Sequence, residues 1–220
     1  MDANLAHLPD FFGHRRTEQE KTPLWSDGTP IPWMTYPAIS YLNQLDFSHK
    51  QVFEYGCGNS TLYWALRALR VFSVEHDQAW FEKMRTGAPA NAEIALASGT
   101  DYVRMVEKHA PHDVIVVDGR WRYDCVMHCT PFLKPGGLII LDNSERHPPL
   151  TEFLRRNDFI QVDMIGYGPQ NRYVWCTSLF LTRTFAFPPL KAAQPHQGPG
   201  MADSAEAHPA RDINRPGAFS

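Results

Sequence analysis

The pattern of hydrophobic and polar positions changes character at Val52. Before it, to about Ser48, prolines, aromatic residues and turn formers crowd together, as in Pro23-Leu24-Trp25-Ser26-Asp27-Gly28 and Pro30-Ile31-Pro32-Trp33. Such a stretch is poor material for regular structure. Only Tyr36–Leu45 interrupts it: Ile39, Leu42 and Leu45 recur at helical spacing behind Pro37, a residue suited to a first helical turn. From Val52 onward, short apolar runs alternate with helix-like ones. The pattern predicts strands over Val52–Tyr55, Val71–Glu75, Ala92–Ala97, Asp113–Val117 and Leu138–Leu141. Between them it predicts helices over Ser60–Arg70 (capped by Asn59 or Ser60), Gln78–Arg85, Asp101–Lys108 and Tyr123–Leu133. Lys134-Pro135-Gly136-Gly137 ends the last of these. The strands Val114-Ile115-Val116-Val117 and Leu138–Leu141 are apolar on both faces, as central parallel strands are. A further helix around Leu150–Asn157 leads to strands Phe159–Ile165 and Val174–Thr182. The turn chemistry of Gly166-Tyr167-Gly168-Pro169-Gln170-Asn171 pairs these as a hairpin.

Five βα units and a terminal hairpin predict an α/β fold. Its sheet is Rossmann-like, seven-stranded and mostly parallel, with a C-terminal antiparallel hairpin and helices on both faces. The implied organisation is an irregular or helical lid segment over residues 1–48, a sheet domain over 49–187 and a tail over 188–220. The tail is rich in Pro, Gly, Ala, His and Gln, and is expected to be disordered because it cannot bury enough apolar surface.

Composition narrows the function classes. The 220 residues carry a net charge of −3, 43% hydrophobic and 20% charged residues, the balance of an ordinary globular protein with one core. Nothing in the bulk charge points to nucleic acid, and clusters such as His14-Arg15-Arg16 read as solvated surface. No apolar run reaches membrane-spanning length, and Met1-Asp2-Ala3-Asn4 lacks the basic-then-apolar order expected of a secretory signal. Cys57, Cys125, Cys129 and Cys176 are scattered and complete no zinc set, so reduced thiols in a cytoplasmic protein are expected.

The chemistry concentrates at strand ends, where open parallel sheets bind ligands. After the first strand stands Glu54-Tyr55-Gly56-Cys57-Gly58-Asn59-Ser60-Thr61, whose paired glycines let backbone approach a ligand. Glu75, 17 residues beyond Gly58, ends the second strand and could accept both hydroxyls of a ribose. A dinucleotide fingerprint wants a third glycine where Thr61 stands, and pyrophosphate is poorly served by an acid such as Glu54. A ligand with an ammonium, a sulfonium and a ribose suits both acids.

Val52–Thr61 resembles the first motif of class I S-adenosylmethionine-dependent methyltransferases, an apolar strand followed by acid-x-Gly-x-Gly. Val71-Phe72-Ser73-Val74-Glu75 resembles their second motif, and Lys134-Pro135-Gly136-Gly137 the turn into their fifth strand. The resemblance covers roughly Val52 to Thr182. It implies that Glu54, Gly56, Gly58 and the adjoining Asn59 line the methionine moiety of S-adenosylmethionine and that Glu75 holds its ribose. Gly99-Thr100-Asp101 then falls beside the adenine.

Asp118 ends the fourth strand and Asp142-Asn143 the fifth, so three oxygen-bearing side chains share one sheet edge. Two carboxylates and an amide oxygen suit a hard cation such as Mg²⁺. The set resembles the metal site of catechol- and caffeoyl-CoA-type O-methyltransferases. Where the catechol type has a basic lysine, however, this chain has Gly119-Arg120-Trp121-Arg122, and arginine is a poor base. Two readings stay open: a metal on Asp118, Asp142 and Asn143, or a metal-free site in which Asp118 orients the acceptor or takes its proton. Asp118, Asp142 and His147 are the candidate catalytic residues, and Asp118 also borders the cofactor. The expected activity is methyl transfer to a hydroxyl of a small molecule. Arg120 and Arg122 suggest an anionic acceptor. The alternative is a non-catalytic module of the same fold that binds cofactor or partner.

Overall fold

The computed structural model describes residues 12–192 and 194–195. Seven strands form one sheet: β1 (Gln51–Tyr55), β2 (Arg70–Glu75), β3 (Ala92–Leu96), β4 (His112–Val117), β5 (Leu133–Asp142), β6 (Ile160–Gly166) and β7 (Trp175–Leu181). Their spatial order is β3-β2-β1-β4-β5-β7-β6. β1 to β5 run parallel, and β7 lies antiparallel between β5 and β6. Helices α1 (His14–Glu20), α2 (Tyr36–Leu42), α3 (Asn59–Ala65), α4 (Gln78–Thr86), α5 (Gly99–Arg104), α6 (Arg122–Cys129) and α7 (Pro148–Arg156) surround it.

Strand alternation divides the core in two. Val52, Val114, Val116, Leu138 and Ile140 point to one face and join Ile39, Leu42 and Trp64. Phe53, Tyr55, Ile115, Val117, Ile139 and Leu141 point to the other and join Val126, Leu150 and Leu154. With a side-chain period of two, a one-residue slip would exchange the two sets, so burial on both faces fixes the register. Glu54 shares the parity of Val52 and so enters the α3 side. The segment before β1 buries Ile31, Met34, Ile39 and Leu42 completely against this first face, so it completes the core there.

Several boundaries differ from the sequence reading for local reasons. The helix after the glycine loop stops at Ala65, short of Arg70, because Arg70 already pairs with Gln51 in the sheet and the chain must first turn. Gly58 precedes that helix in place of Asn59 or Ser60, and its N–H is accepted by Thr61 Oγ1 at 3.1 Å. Lys134-Pro135-Gly136-Gly137 lies within β5: Leu133 pairs with His112, the register shifts, and pairing resumes at Val114 with Leu138. The run is thus a bulge within the strand. The helix expected over Asp101–Lys108 begins at Gly99 and tightens to a 3₁₀ turn over Met105–Glu107. At the C-terminal end, Asp46 N–H donates to Pro188 O and Leu190 N–H to Gln44 O, so the first residues past Phe187 dock onto the chain before β1. The disorder expected beyond them falls on residue 193 and residues 196–220, outside the described residues.

All four cysteines are free, three of them buried. No described helix is long and apolar enough to cross a membrane.

Candidate active site

The chain leaves β1 toward β2 and β3 on one side and returns to β4 and β5 on the other. The carboxyl ends of β1 and β4 therefore flank the crevice where such sheets bind ligands. Two glycines set its width. Gly56 has φ +97°, a region that L side chains avoid, and a Cβ there would lie 3.3 Å from Gly119 Cα. A Cβ on Gly119 would sit 2.0 Å from the Tyr102 hydroxyl and 2.9 Å from Gly56 N. Only with both side chains absent can the two loops touch.

Glu54 lies just inside this contact, 1% exposed. Its Oε2 accepts from Thr61 Oγ1 at 2.6 Å and Ser73 Oγ at 2.9 Å, while Oε1 is buried without a hydrogen bond. Burial pushes the carboxyl up to about 7, against the lowering effect of the hydroxyls. Thr61, which stands where a dinucleotide fingerprint has glycine, thus supports Glu54. An unsatisfied carboxylate oxygen bordering a cavity of about 320 Å³ suits a cationic ligand group.

Glu75 is 5% exposed and organises the next turn. Its Oε1 accepts from the N–H groups of His76 (2.7 Å) and Asp77 (2.9 Å) and faces His76 Nδ1 at 2.8 Å; its Oε2 accepts from Cys57 N–H at 3.2 Å. The β1 and β2 loops are thereby tied together, and Oε2 keeps a lone pair for a ligand hydroxyl. Beyond His76 lies a second cavity, about 710 Å³, bordered by Ala97, Ser98, Asp101 and Met105. Asp101 borders it, whereas Gly99 and Thr100 are not among its lining residues. Asn59 sits on a neighbouring cavity, and its Nδ2 donates to Pro23 O at 2.8 Å, pinning the N-terminal segment to the start of α3.

At the ends of β4 and β5 one side chain organises the rest. Arg122, the first residue of α6, donates from Nε to Gly119 O at 3.1 Å. From Nη1 it donates to Asp142 O at 2.5 Å and Asn143 Oδ1 at 3.0 Å, and from Nη2 to Asp118 O and Asp118 Oδ1, both at 2.8 Å. Asp142, 3% exposed, turns its Oδ1 the other way, accepting from Trp175 Nε1 at 3.0 Å and Thr177 Oγ1 at 2.5 Å. Burial pushes its carboxyl up to about 6, against those hydrogen bonds and Arg122. Asp118 is likewise raised, by burial first and by Asp142 second, with Arg122 opposing.

The structure brings Asp118, Asp142 and Asn143 together as the sequence predicts, but around a guanidinium. Arg122 is therefore not free to anchor an anionic acceptor. The donor set does not fit a divalent cation either, since Asp118 Oδ1, Asn143 Oδ1 and two neighbouring carbonyls already accept from a fixed positive charge. No group of three or more His, Cys, Asp or Glu among the described residues could hold a metal ion. The residues around Glu54 and Glu75, in contrast, do fit S-adenosylmethionine, because Glu54 Oε1 is an orphaned anion-capable oxygen at the cavity wall.

Asp118 borders three cavities. One holds Glu54, Gly56 and Glu75; one holds Trp33, Cys57 and Trp80; and one holds Trp33, Asp142, Asn143, Tyr173 and Trp175. His147 lines none of them; its backbone carbonyl accepts from Leu150 N–H at the start of α7, and burial lowers its pKa. Trp33 belongs to the expected lid segment; sequence reasoning passed over Trp175 and Trp121. Trp121 adopts φ +49° and packs its ring 5.2 Å from Tyr102 and 5.7 Å from His76. Its position directly after Asp118-Gly119-Arg120 was the available signal; strain in a bulky residue at a cleft marks a site.

Residues 53–144 match a family model described as a methyltransferase domain. No curated protein matches the chain. Among solved structures, a Staphylococcus aureus protein described as a caffeoyl-CoA O-methyltransferase is 14% identical, aligns over 82% of this chain and 100% of its own, and gives a TM-score of 0.57. A precorrin-6y C5,15-methyltransferase from Geobacter metallireducens is 13% identical over 66% of this chain and 87% of its own, with a TM-score of 0.53. At these identities the likeness is one of fold. Residues 53–144 thus carry a match to a methyltransferase domain, in a fold that the chain shares with methyltransferases of known structure.

Proposed function

We propose that this enzyme methylates a hydroxyl of a small molecule held between Trp33, Tyr173 and Trp175, with Asp118 accepting the hydroxyl proton. The observation that carries the reading is the place of Asp118, the one carboxylate common to the cavity of Glu54 and Glu75 and the aromatic cavity beside it. Glu54 and Gly56 would hold the amino-acid end of S-adenosylmethionine and Glu75 its ribose, with His76, Trp121 and Asp101 around the base. The bound cofactor supplies an electrophilic methyl on a sulfonium.

The chain then has to align an oxygen nucleophile and take up its proton. Burial and Asp142 make Asp118 a stronger base than an ordinary carboxylate, and Arg122 fixes one of its oxygens, leaving the other to face the cavity. The aromatic walls offer stacking surface to a planar acceptor and exclude water from the reacting pair. Because Arg122 occupies the oxygen donors, no step passes through a divalent cation.

The test is incubation with methyl-labelled S-adenosylmethionine and a panel of phenolic, catecholic and hydroxy-acid acceptors, with products identified by mass spectrometry and NMR. An O-methyl product supports the proposal; label found only on nitrogen or carbon refutes it.

A further inference from the structure

We infer that Arg122 is a built-in cation that holds the acceptor cavity together, in a set of oxygen donors that becomes a divalent-cation site once the guanidinium is removed. A guanidinium has five N–H donors. In Arg122 all five are donated, to Gly119 O, Asp142 O, Asn143 Oδ1, Asp118 O and Asp118 Oδ1. Every acceptor is an oxygen, and they come from the ends of two adjacent parallel strands. The side chain is only 17% exposed, so these bonds form largely out of water, where they are strongest.

The backbone on both sides is bent to serve this arrangement. Trp121, immediately before Arg122, has φ +49°, and Asn143, one of its acceptors, has φ +53°. Left-handed conformations at non-glycine residues persist when their surroundings over-determine them, and here the guanidinium is the shared element. Asp118 and Asp142 would repel each other across this space. A permanent charge between them offsets that repulsion at every pH of interest, which lysine, with its titratable and non-planar head, would do less reliably. Arg122 is thus a positioning residue: it sets where the free oxygen of Asp118 points without itself reaching an acceptor. Without it, the Asp118 carboxylate, the Asn143 amide oxygen and the backbone carbonyls of Asp118, Gly119 and Asp142 are left facing one another, a hard all-oxygen set.

The experiment is a Mn²⁺ titration followed by electron paramagnetic resonance, on the full chain and on Arg122→Ala and Arg122→Gln. Thermal melts with and without Mn²⁺ accompany it. The expected result is no stoichiometric Mn²⁺ binding to the unmodified protein and at least tenfold tighter binding of one ion to a variant. Mn²⁺ should raise the melting temperature of the variant only, and adding Asp118→Asn should abolish the gained site. Stoichiometric Mn²⁺ on the unmodified protein that Asp118→Asn removes would overturn the inference. So would folded variants that bind no ion, or variants that stay unfolded in millimolar Mn²⁺. The readout needs no acceptor, so failure here leaves the proposed O-methylation standing, and failure of that reaction leaves this inference standing.

Discussion

Arg122 Nη2 lies 2.8 Å from Asp118 Oδ1, and Asp118 borders both the cavity of Glu54 and Glu75 and the aromatic one. Its side chains are 17% and 27% exposed, so the contact holds a carboxylate at the junction without sealing it from ligand. Asp118 is the residue on which the reaction should depend most. Asp118→Asn is expected to lower methyl transfer by about a hundredfold to ten-thousandfold, the range of a lost general base. The affinity for S-adenosylhomocysteine should change by less than about tenfold. Initial rates with labelled cofactor, beside a calorimetric titration, separate the two.

The two raised carboxyls set the direction of a pH dependence. Glu54 is held at about 7 and Asp142 at about 6, both above their ordinary values. A group raised on folding contributes stability that is complete below its unfolded value and is lost as pH rises through its folded value. The ligand-free protein should therefore lose roughly 1–3 kcal/mol from each of these groups between about pH 4 and pH 7. Glu54→Gln should flatten the upper part of that loss, as read by thermal melts across the range. Cofactor binding should release a proton near pH 6.5, because a cationic ligand favours ionised Glu54, and calorimetry in buffers of different ionisation enthalpy measures that release. A Glu54→Gln variant with unchanged slope and unchanged proton release would contradict the assignment.

Gly119→Ala tests the contact between the β1 and β4 loops. The added methyl would sit 2.0 Å from the Tyr102 hydroxyl and 2.9 Å from Gly56 N, one a side chain within the core and the other backbone. The loops must separate, at about 1–3 kcal/mol by analogy with overpacked sites. Denaturant unfolding should show that loss, and cofactor affinity should fall with it.

Thr177→Val removes the 2.5 Å hydrogen bond to Asp142 Oδ1 while keeping the shape of the side chain. A buried carboxylate left short of a donor costs about 1–3 kcal/mol. Because that bond holds the Asp142 carboxyl down, its loss should raise the carboxyl further above about 6. The difference in stability between the variant and the parent should therefore widen with pH and be smallest in acid, which melts at pH 5 and pH 8 would show.

Much of this was legible in the sequence. Strand ends carry short, local signals, so Glu54, Gly56, Glu75, Asp118 and Asp142 could be placed from the runs Val52–Tyr55, Val71–Glu75, Val114–Val117 and Leu138–Leu141. The terminal hairpin was readable from its turn residues. What was not legible depends on contacts between distant segments. Arg122 read as an anchor for an anionic acceptor because nothing in its neighbourhood announces that Asn143 and the carbonyl of Asp142 lie within reach. The bulge in β5 was hidden because a Lys-Pro-Gly-Gly run reads as a turn until the sheet register is known. Trp33 lies in a stretch without periodicity, and only the fold brings it to a cavity that Asp118 also lines.

The crevice at β1 and β4 is expected to bind S-adenosylmethionine through Glu54 and Glu75. Calorimetric titration of the full chain with S-adenosylhomocysteine and with NAD tests it most directly, repeated on Glu75→Ala. The expected result is one site of micromolar affinity for S-adenosylhomocysteine, weakened about tenfold to a hundredfold in Glu75→Ala, and no response to NAD. Binding of NAD in place of S-adenosylhomocysteine, or binding that Glu75→Ala leaves unchanged, would contradict it.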